Sequence, residues 1–120
     1  MSQAQLSIRL DLSNEDRIGP GKIALLEAIR DTGSISGGAR KIGMSYRRAW
    51  LLVEQINEAL VRPAVEAAPG GRQGGGATLT PIGDELIGIY HAIEETAYCS
   101  AKEQFKAVER LARKTSKPKT

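Results

Sequence analysis

Between Gln5 and Leu12 apolar and polar residues alternate without a break. Leu6, Ile8, Leu10 and Leu12 fall on one side and Ser7, Arg9 and Asp11 on the other, which is the period of a half-buried strand. After a polar stretch the period lengthens: Ile23, Leu26 and Ile29 recur at steps of three, with Leu25 and Ala28 beside them. Pro20 suits a first helical position and Gly33 a helix end, so the pattern predicts a helix over about 20–32. Ser34 or Ser36 can cap a second helix of about two turns that carries Ile35, Ala39 and Ile42 inward and stops at Gly43. Ser45 caps a third. There Ala49, Leu52, Val53, Ile56 and Leu60 share one side, and Tyr46, Arg47, Trp50 and Glu54 share the other. Pro63 closes that region.

Ala64–Ala67 and Ala77–Leu79 read as two short strands joined by a tip with five glycines between positions 70 and 76, a hairpin with a mobile end. From Thr80, an N-cap followed by Pro81, helical character continues to about Arg113. Ile82, Leu86, Ile89, Ile93, Ala97, Ala101, Phe105, Val108 and Ala112 recur at steps of three and four, with no proline among them. A helix of about 30 residues spans roughly 45 Å, more than a small domain covers with its own body. Part of that stripe therefore has to pack on another chain, and the expected assembly is a homodimer whose interface holds Ile82, Leu86, Ile89, Ile93, Ala97, Ala101, Phe105 and Val108. Lys114–Thr120 has lysines, a proline and no apolar anchor, and reads as a disordered basic tail.

The order of elements implies a mostly α fold with a small β-hairpin: a winged helix-turn-helix followed by a long C-terminal dimerisation helix. One domain fills residues 1–113, with an N-terminal strand at 5–12, the helix-turn-helix at 34–61, the wing at 64–80 and the long helix at 81–113. The tail is 114–120. A chain of 120 residues has the length of one domain, and 41% hydrophobic with 4% aromatic residues means an aliphatic core. No apolar run approaches the roughly 20 residues of a membrane span, and the N-terminus lacks the pattern of a signal peptide. A cytoplasmic protein with no membrane partner is expected. One cysteine, Cys99, and one histidine, His91, are too few for an internal disulfide or a structural zinc site, so neither metal nor cofactor is expected.

Charge sharpens the picture. The net +3 is produced by five basic side chains after position 109 (Arg110, Arg113, Lys114, Lys117, Lys119). Within the body, the stretch from Asp31 to Glu54 carries Arg40, Lys41, Arg47 and Arg48 with no acid between those two, a local basic surface of the kind that neutralises phosphates. A helix-turn-helix lays its second helix in the major groove with the N-terminal half toward base edges. The candidate DNA-binding residues are therefore Ser34, Ser36, Ser45, Tyr46, Arg47, Arg48, Trp50 and Arg72. Arg47 and Arg48 can pair with guanine edges or phosphates, Ser45 and Tyr46 can bond phosphate oxygens, Trp50 can pack on sugar or a thymine methyl, and Arg72 can enter a minor groove or touch the backbone. Each has a competing structural role: Trp50 as a cover over the helix junction, Tyr46 as a packing residue, Arg48 as the partner of an acid in the same chain, the glycines as a plain loop.

Enzymatic readings fail on detail. No Gly-Lys-Ser/Thr follows the glycine cluster, so it is not a phosphate loop. His91 lies mid-helix without a nucleophile and orienting acid, Asp84-Glu85 and Glu94-Glu95 are helix-surface acids, and Cys99 fits a seam between helices. A non-enzymatic alternative is a winged-helix module for protein contact or for non-specific nucleic-acid binding through the basic tail.

The stretch Thr32-Gly33-Ser34-Ile35-Ser36-Gly37-Gly38-Ala39-Arg40-Lys41-Ile42-Gly43-Met44-Ser45-Tyr46-Arg47-Arg48-Ala49-Trp50 resembles the N-terminal DNA-binding domain of the ModE family, molybdate-responsive transcriptional regulators with a LysR-like winged helix-turn-helix. The segment from Gly19 to Glu27 and the segment Gly70 to Gly83, with its Gly-Gly-Gly-Ala-Thr-Leu-Thr, extend the resemblance over roughly residues 5–110. The resemblance implies a homodimer held by the long helices, double-stranded DNA with a palindromic operator as partner, and genes of molybdate transport or molybdoenzymes as targets. Full-length relatives continue into C-terminal molybdate-binding modules and this chain ends before them. Two forms are open, a stand-alone short regulator and a fragment of a longer one; the stand-alone form is the expectation, with direct sensing of molybdate or another effector by this chain alone in doubt.

Overall fold

In the computed structural model, residues 4–68 and 76–113 are described. The elements are β1 (Leu10–Asp11), β2 (Arg17–Ile18), α1 (Pro20–Thr32), α2 (Ile35–Lys41), α3 (Tyr46–Ala59), β3 (Val65–Ala68), β4 (Gly76–Leu79), α4 (Pro81–Ser100) and α5 (Lys102–Leu111). Hydroxyl caps set where three of the helices begin. Ser34 Oγ accepts from Gly37 N at 2.8 Å, Ser45 Oγ from Arg48 N at 3.1 Å, and Thr80 Oγ1 from Gly83 N at 3.3 Å, each satisfying a backbone donor that the first helical turn leaves free.

Side chains from every layer meet in one aliphatic core: Ile18, Leu25, Leu26, Ile29, Ala39, Ala49, Val53, Ile56, Ala64, Val65, Ala77 and Ile87 are buried together. Tyr90 is the aromatic exception, 1% exposed, and its hydroxyl donates to the Ile8 carbonyl at 2.6 Å. Antiparallel β3 and β4 pair from Val65 with Leu79 to Ala68 with Gly76, and form the wing. A bridge between Ser34 and Gly76, with Ala77 N donating to Gly33 O at 2.8 Å, ties the wing to the start of α2.

Two expectations are corrected. Side-chain burial does alternate from Ala4 to Leu12, but the ladder is confined to Leu10–Asp11 paired with Arg17–Ile18, where a strand over 5–12 is expected. The reason lies in the partner. The chain turns back through Glu15 (φ 75) and enters α1 at Pro20, so only two residues are left to pair. The rest of the arm runs extended along α4: Ile8 is at Tyr90, and Ala4 joins Tyr98 and Phe105 around a cavity of about 490 Å³.

The long helix expected over 81–113 is broken. At Ala101 (φ −109, ψ 17) the N–H is shared between the carbonyls of Ala97 (3.0 Å) and Tyr98 (3.3 Å), and α5 starts anew. Positions seven apart in a straight helix differ by about 10.5 Å of rise, whereas the rings of Tyr98 and Phe105 pack across the break with centroids 5.2 Å apart. The contact accompanies the break, and no glycine or proline stands there to announce it. The core face of α4 is Gly83, Ile87 and Tyr90. Of the stripe read from the sequence, Ile82, Leu86, Ile93, Ala97, Ala101 and Phe105 are half-buried, while Ile89 and Val108 are exposed, and α5 has no buried residue.

Candidate nucleic-acid interface

The short α2 stops because Ile42 leaves helical geometry and Gly43 takes a left-handed conformation, φ 72, which an L side chain adopts only at a cost of about 1–2 kcal/mol. Met44 N then donates to Ala39 O at 2.9 Å, and Ser45 in extended conformation opens α3. Buried Ala39 and Ala49 hold the two helices together through small side chains. This is a helix-turn-helix by geometry, with the first turn of α3 projecting away from the core.

That turn carries the charge. Arg47 and Arg48 are exposed, as is Arg40 on α2, and among the described residues no carboxylate lies within 4 Å of any of the three. Arg48 has no internal ion-pair partner there. Lys41 differs from the sequence picture of an acid-free run. Its ammonium sits 3.1 Å from Asp31, which also meets Arg30 at 3.5 Å, and the Lys41 hydrogen bond holds the Asp31 carboxyl below its ordinary range. The exposed second half of α3 carries Glu54 and Glu58. Acids there repel a phosphate backbone, so only the amino-terminal half of the helix suits close approach to a polyanion.

Tyr46 (55% exposed) and Trp50 (44%) lie on the flank of α3 that faces the wing. With Ile35, Ser36, Val65, Glu66 and Ala77 they line a groove of about 410 Å³ between α3, α2 and the hairpin. Trp50 borders that groove and stays half open. Ser34 and Ser45 spend their hydroxyl oxygens as caps, which leaves each hydroxyl hydrogen available to donate, and Ser36 Oγ is 3.5 Å from Ser34 Oγ. Of the eight candidates, Ser36, Tyr46 and Trp50 line this groove, Ser34 and Ser45 cap the two helices, Arg47 and Arg48 are exposed on the first turn of α3 outside the groove, and Arg72 lies outside the described residues.

Two features of the site are absent from the sequence reading. Asn57, inside α3, accepts from Ala64 N (2.8 Å) and Val65 N (3.1 Å) and donates to Val65 O (3.2 Å), fastening the root of the wing to the helix beside it. Leu51, one turn after Arg47, is 45% exposed on the outer face. An asparagine in the last turn of the helix, on the side of the wing, is the signal for the first, because its amide competes with helix backbone and needs partners elsewhere. A leucine off the apolar stripe is the signal for the second. On the far side of the domain, His91 of α4 bridges two carboxylates, with Nε2 2.6 Å from Glu27 of α1 and Nδ1 2.7 Å from Glu94. Those bonds, Glu27 first, raise its pKa above the usual histidine value.

Among the described residues no group of three or more His, Cys, Asp or Glu is arranged to hold a metal ion, and no helix is long and apolar enough to cross a membrane. No family model matches the chain. Curated proteins do. The chain is 55% identical over 78 residues to the molybdenum-pterin-binding protein MopB of Rhodobacter capsulatus, covering 65% of this chain and 29% of that protein. It is 39% identical over 104 residues to the transcriptional regulator ModE of Yersinia pestis, covering 84% and 40%. To the DNA-binding transcriptional dual regulator ModE of Escherichia coli K12 it is 39% identical over 93 residues, covering 78% and 36%. The chain thus spans roughly a third of the length of these relatives. By its sequence and by the helix-turn-helix and wing described above, the chain belongs to the ModE family of transcriptional regulators.

Proposed function

We propose that this chain is a DNA-binding transcriptional regulator that engages double-stranded DNA as a homodimer, with α3 of each copy in successive major grooves of a palindromic operator. The observation that carries the reading is the amino-terminal turn of α3: Arg47 and Arg48 exposed, without carboxylate partners among the described residues, and presented by a serine-capped helix beside a wing. Arg47 and Arg48 pair with guanine edges or phosphates, while Ser34, Ser36, Ser45 and Tyr46 donate to phosphate oxygens and Trp50 packs on the sugar wall. Arg72 extends the contact from the wing.

The homodimer reading is supported by the half-open stripe on α4 and α5, where Ile89 and Val108 are 50% and 58% exposed. Relatives named as transcriptional regulators and as a molybdenum-pterin-binding protein favour genes of molybdate transport or molybdoenzymes as targets. The test is selection of sheared genomic DNA on the purified chain at low and near-physiological salt, followed by sequencing of what is retained. A palindrome that survives the higher salt supports a sequence-specific dimer, and the adjoining genes report whether molybdenum is the theme. Uniform retention that disappears with salt would instead make the chain a non-specific electrostatic binder.

A further inference from the structure

Among the described residues, Tyr46, Trp50 and Leu51 of α3 are large apolar side chains left open to solvent, as are Val61, Ile89, Val108 and Leu111 elsewhere. Tyr46 and Trp50 border the groove against the wing, but Leu51 is not among its lining residues. At about 100° per residue it lies some 200° round the helix from buried Ala49, on the outermost line of α3 with Arg47 one turn before it. The next residues on that outer face, Glu54 and Glu58, are exposed acids.

Leu51 is therefore the last outward position before like charge keeps a phosphate backbone away. It has a guanidinium on its amino-terminal side and carboxylates on the other. An isobutyl group there gains nothing from a phosphate oxygen or a base hydrogen-bonding group. The apolar group that the major groove presents is the C5-methyl of thymine. Resting on the regulator reading above, we propose that Leu51 reads a thymine methyl, so that each half-site requires a thymine next to the base or phosphate taken by Arg47.

The test uses the operator recovered by genomic selection, with its thymines replaced one symmetric pair at a time by deoxyuridine, which removes the methyl and leaves every hydrogen-bonding group in place. For the full chain, one pair loses affinity by about threefold to tenfold per half-site, the value of burying one methyl group. Leu51→Met, still apolar, keeps that penalty. Leu51→Ala and Leu51→Gln bind the thymine and deoxyuridine duplexes equally at that pair, with folding checked by the thermal melt of each variant. The assignment is overturned if no thymine is penalised, or if the penalty is undiminished in Leu51→Ala and Leu51→Gln. Recovery of no preferred sequence in the selection sinks the regulator reading itself and takes this assignment with it, so the two failures are distinguishable.

Discussion

Arg47 and Arg48 are adjacent, both exposed and without a carboxylate partner among the described residues, yet a helix turns them about 100° apart. On the proposed reading Arg47, on the outer line of α3, meets base edges, and Arg48, on its shoulder, meets the phosphate wall. Arg47→Ala should weaken operator binding by about 1–3 kcal/mol and relax one operator position, while Arg48→Ala should weaken all sequences alike and flatten the dependence on salt. Fluorescence anisotropy titrations on operator and scrambled duplexes at two salt concentrations separate them, and equal losses from Arg47→Ala on both duplexes would deny it a base-reading role. The turn that presents them depends on Gly43. Its φ of 72 makes Gly43→Val destabilising by about 1–2 kcal/mol in urea unfolding, with Gly43→Asn falling well short of that because asparagine tolerates the left-handed region. An equal effect of the two substitutions would mean the conformation is not what matters there.

At the scale of elements, the wing and α3 act as one unit because Asn57 supplies three hydrogen bonds to the root of β3. Asn57→Ala leaves two buried backbone N–H groups without partners, so a loss of about 2–4 kcal/mol in unfolding free energy is expected from two unmet donors; a loss below about 0.5 kcal/mol would mean that water replaces the side chain. Between α1 and α4, which share the apolar core, there is also an electrostatic tie at the surface. His91 is held charged by Glu27 and then Glu94, so its pKa is raised, and the stabilisation is whole at and below the ordinary value of 6.5 and fades as pH rises through the raised value. The stability gap between the natural chain and His91→Gln should narrow from pH 6 towards alkaline pH, and because the ring is 49% exposed it should also shrink with salt. Urea midpoints that stay equally spaced across that range would contradict the tie. These two elements also show what the sequence discloses. Local signals are legible: Pro20 and Gly33 bound α1, Ser34 and Ser45 start α2 and α3, and Gly43 opens the turn between them. What depends on a distant partner is not. The Glu27–His91 bond joins residues 64 apart and the β1 ladder is cut short by the nearness of α1, while the break at Ala101 has no glycine or proline beside it to mark it.

For the whole molecule the question is what covers the outer side of α4. Its inner side is fully occupied by Gly83, Ile87 and Tyr90, with the Tyr90 hydroxyl anchored to Ile8, so Ile89 and Ile93 have no part in the core. A second copy placed there would bury the stripe of both chains and fix the separation of the two α3 helices, which has to be near one helical turn of DNA, about 34 Å, or a multiple of it. Ile93→Glu introduces a charge into that seam without touching the core. It should leave the thermal melt of the domain nearly unchanged at low protein concentration, convert the chain to a monomer in sedimentation equilibrium at micromolar concentration, and lower affinity for the full palindrome far more than for a single half-site, since the second site no longer binds at the effective concentration set by the first. If the natural chain sediments as a monomer at the same concentration, or if Ile93→Glu binds the palindrome as tightly as before, the two recognition helices act independently and α4 is not what couples them.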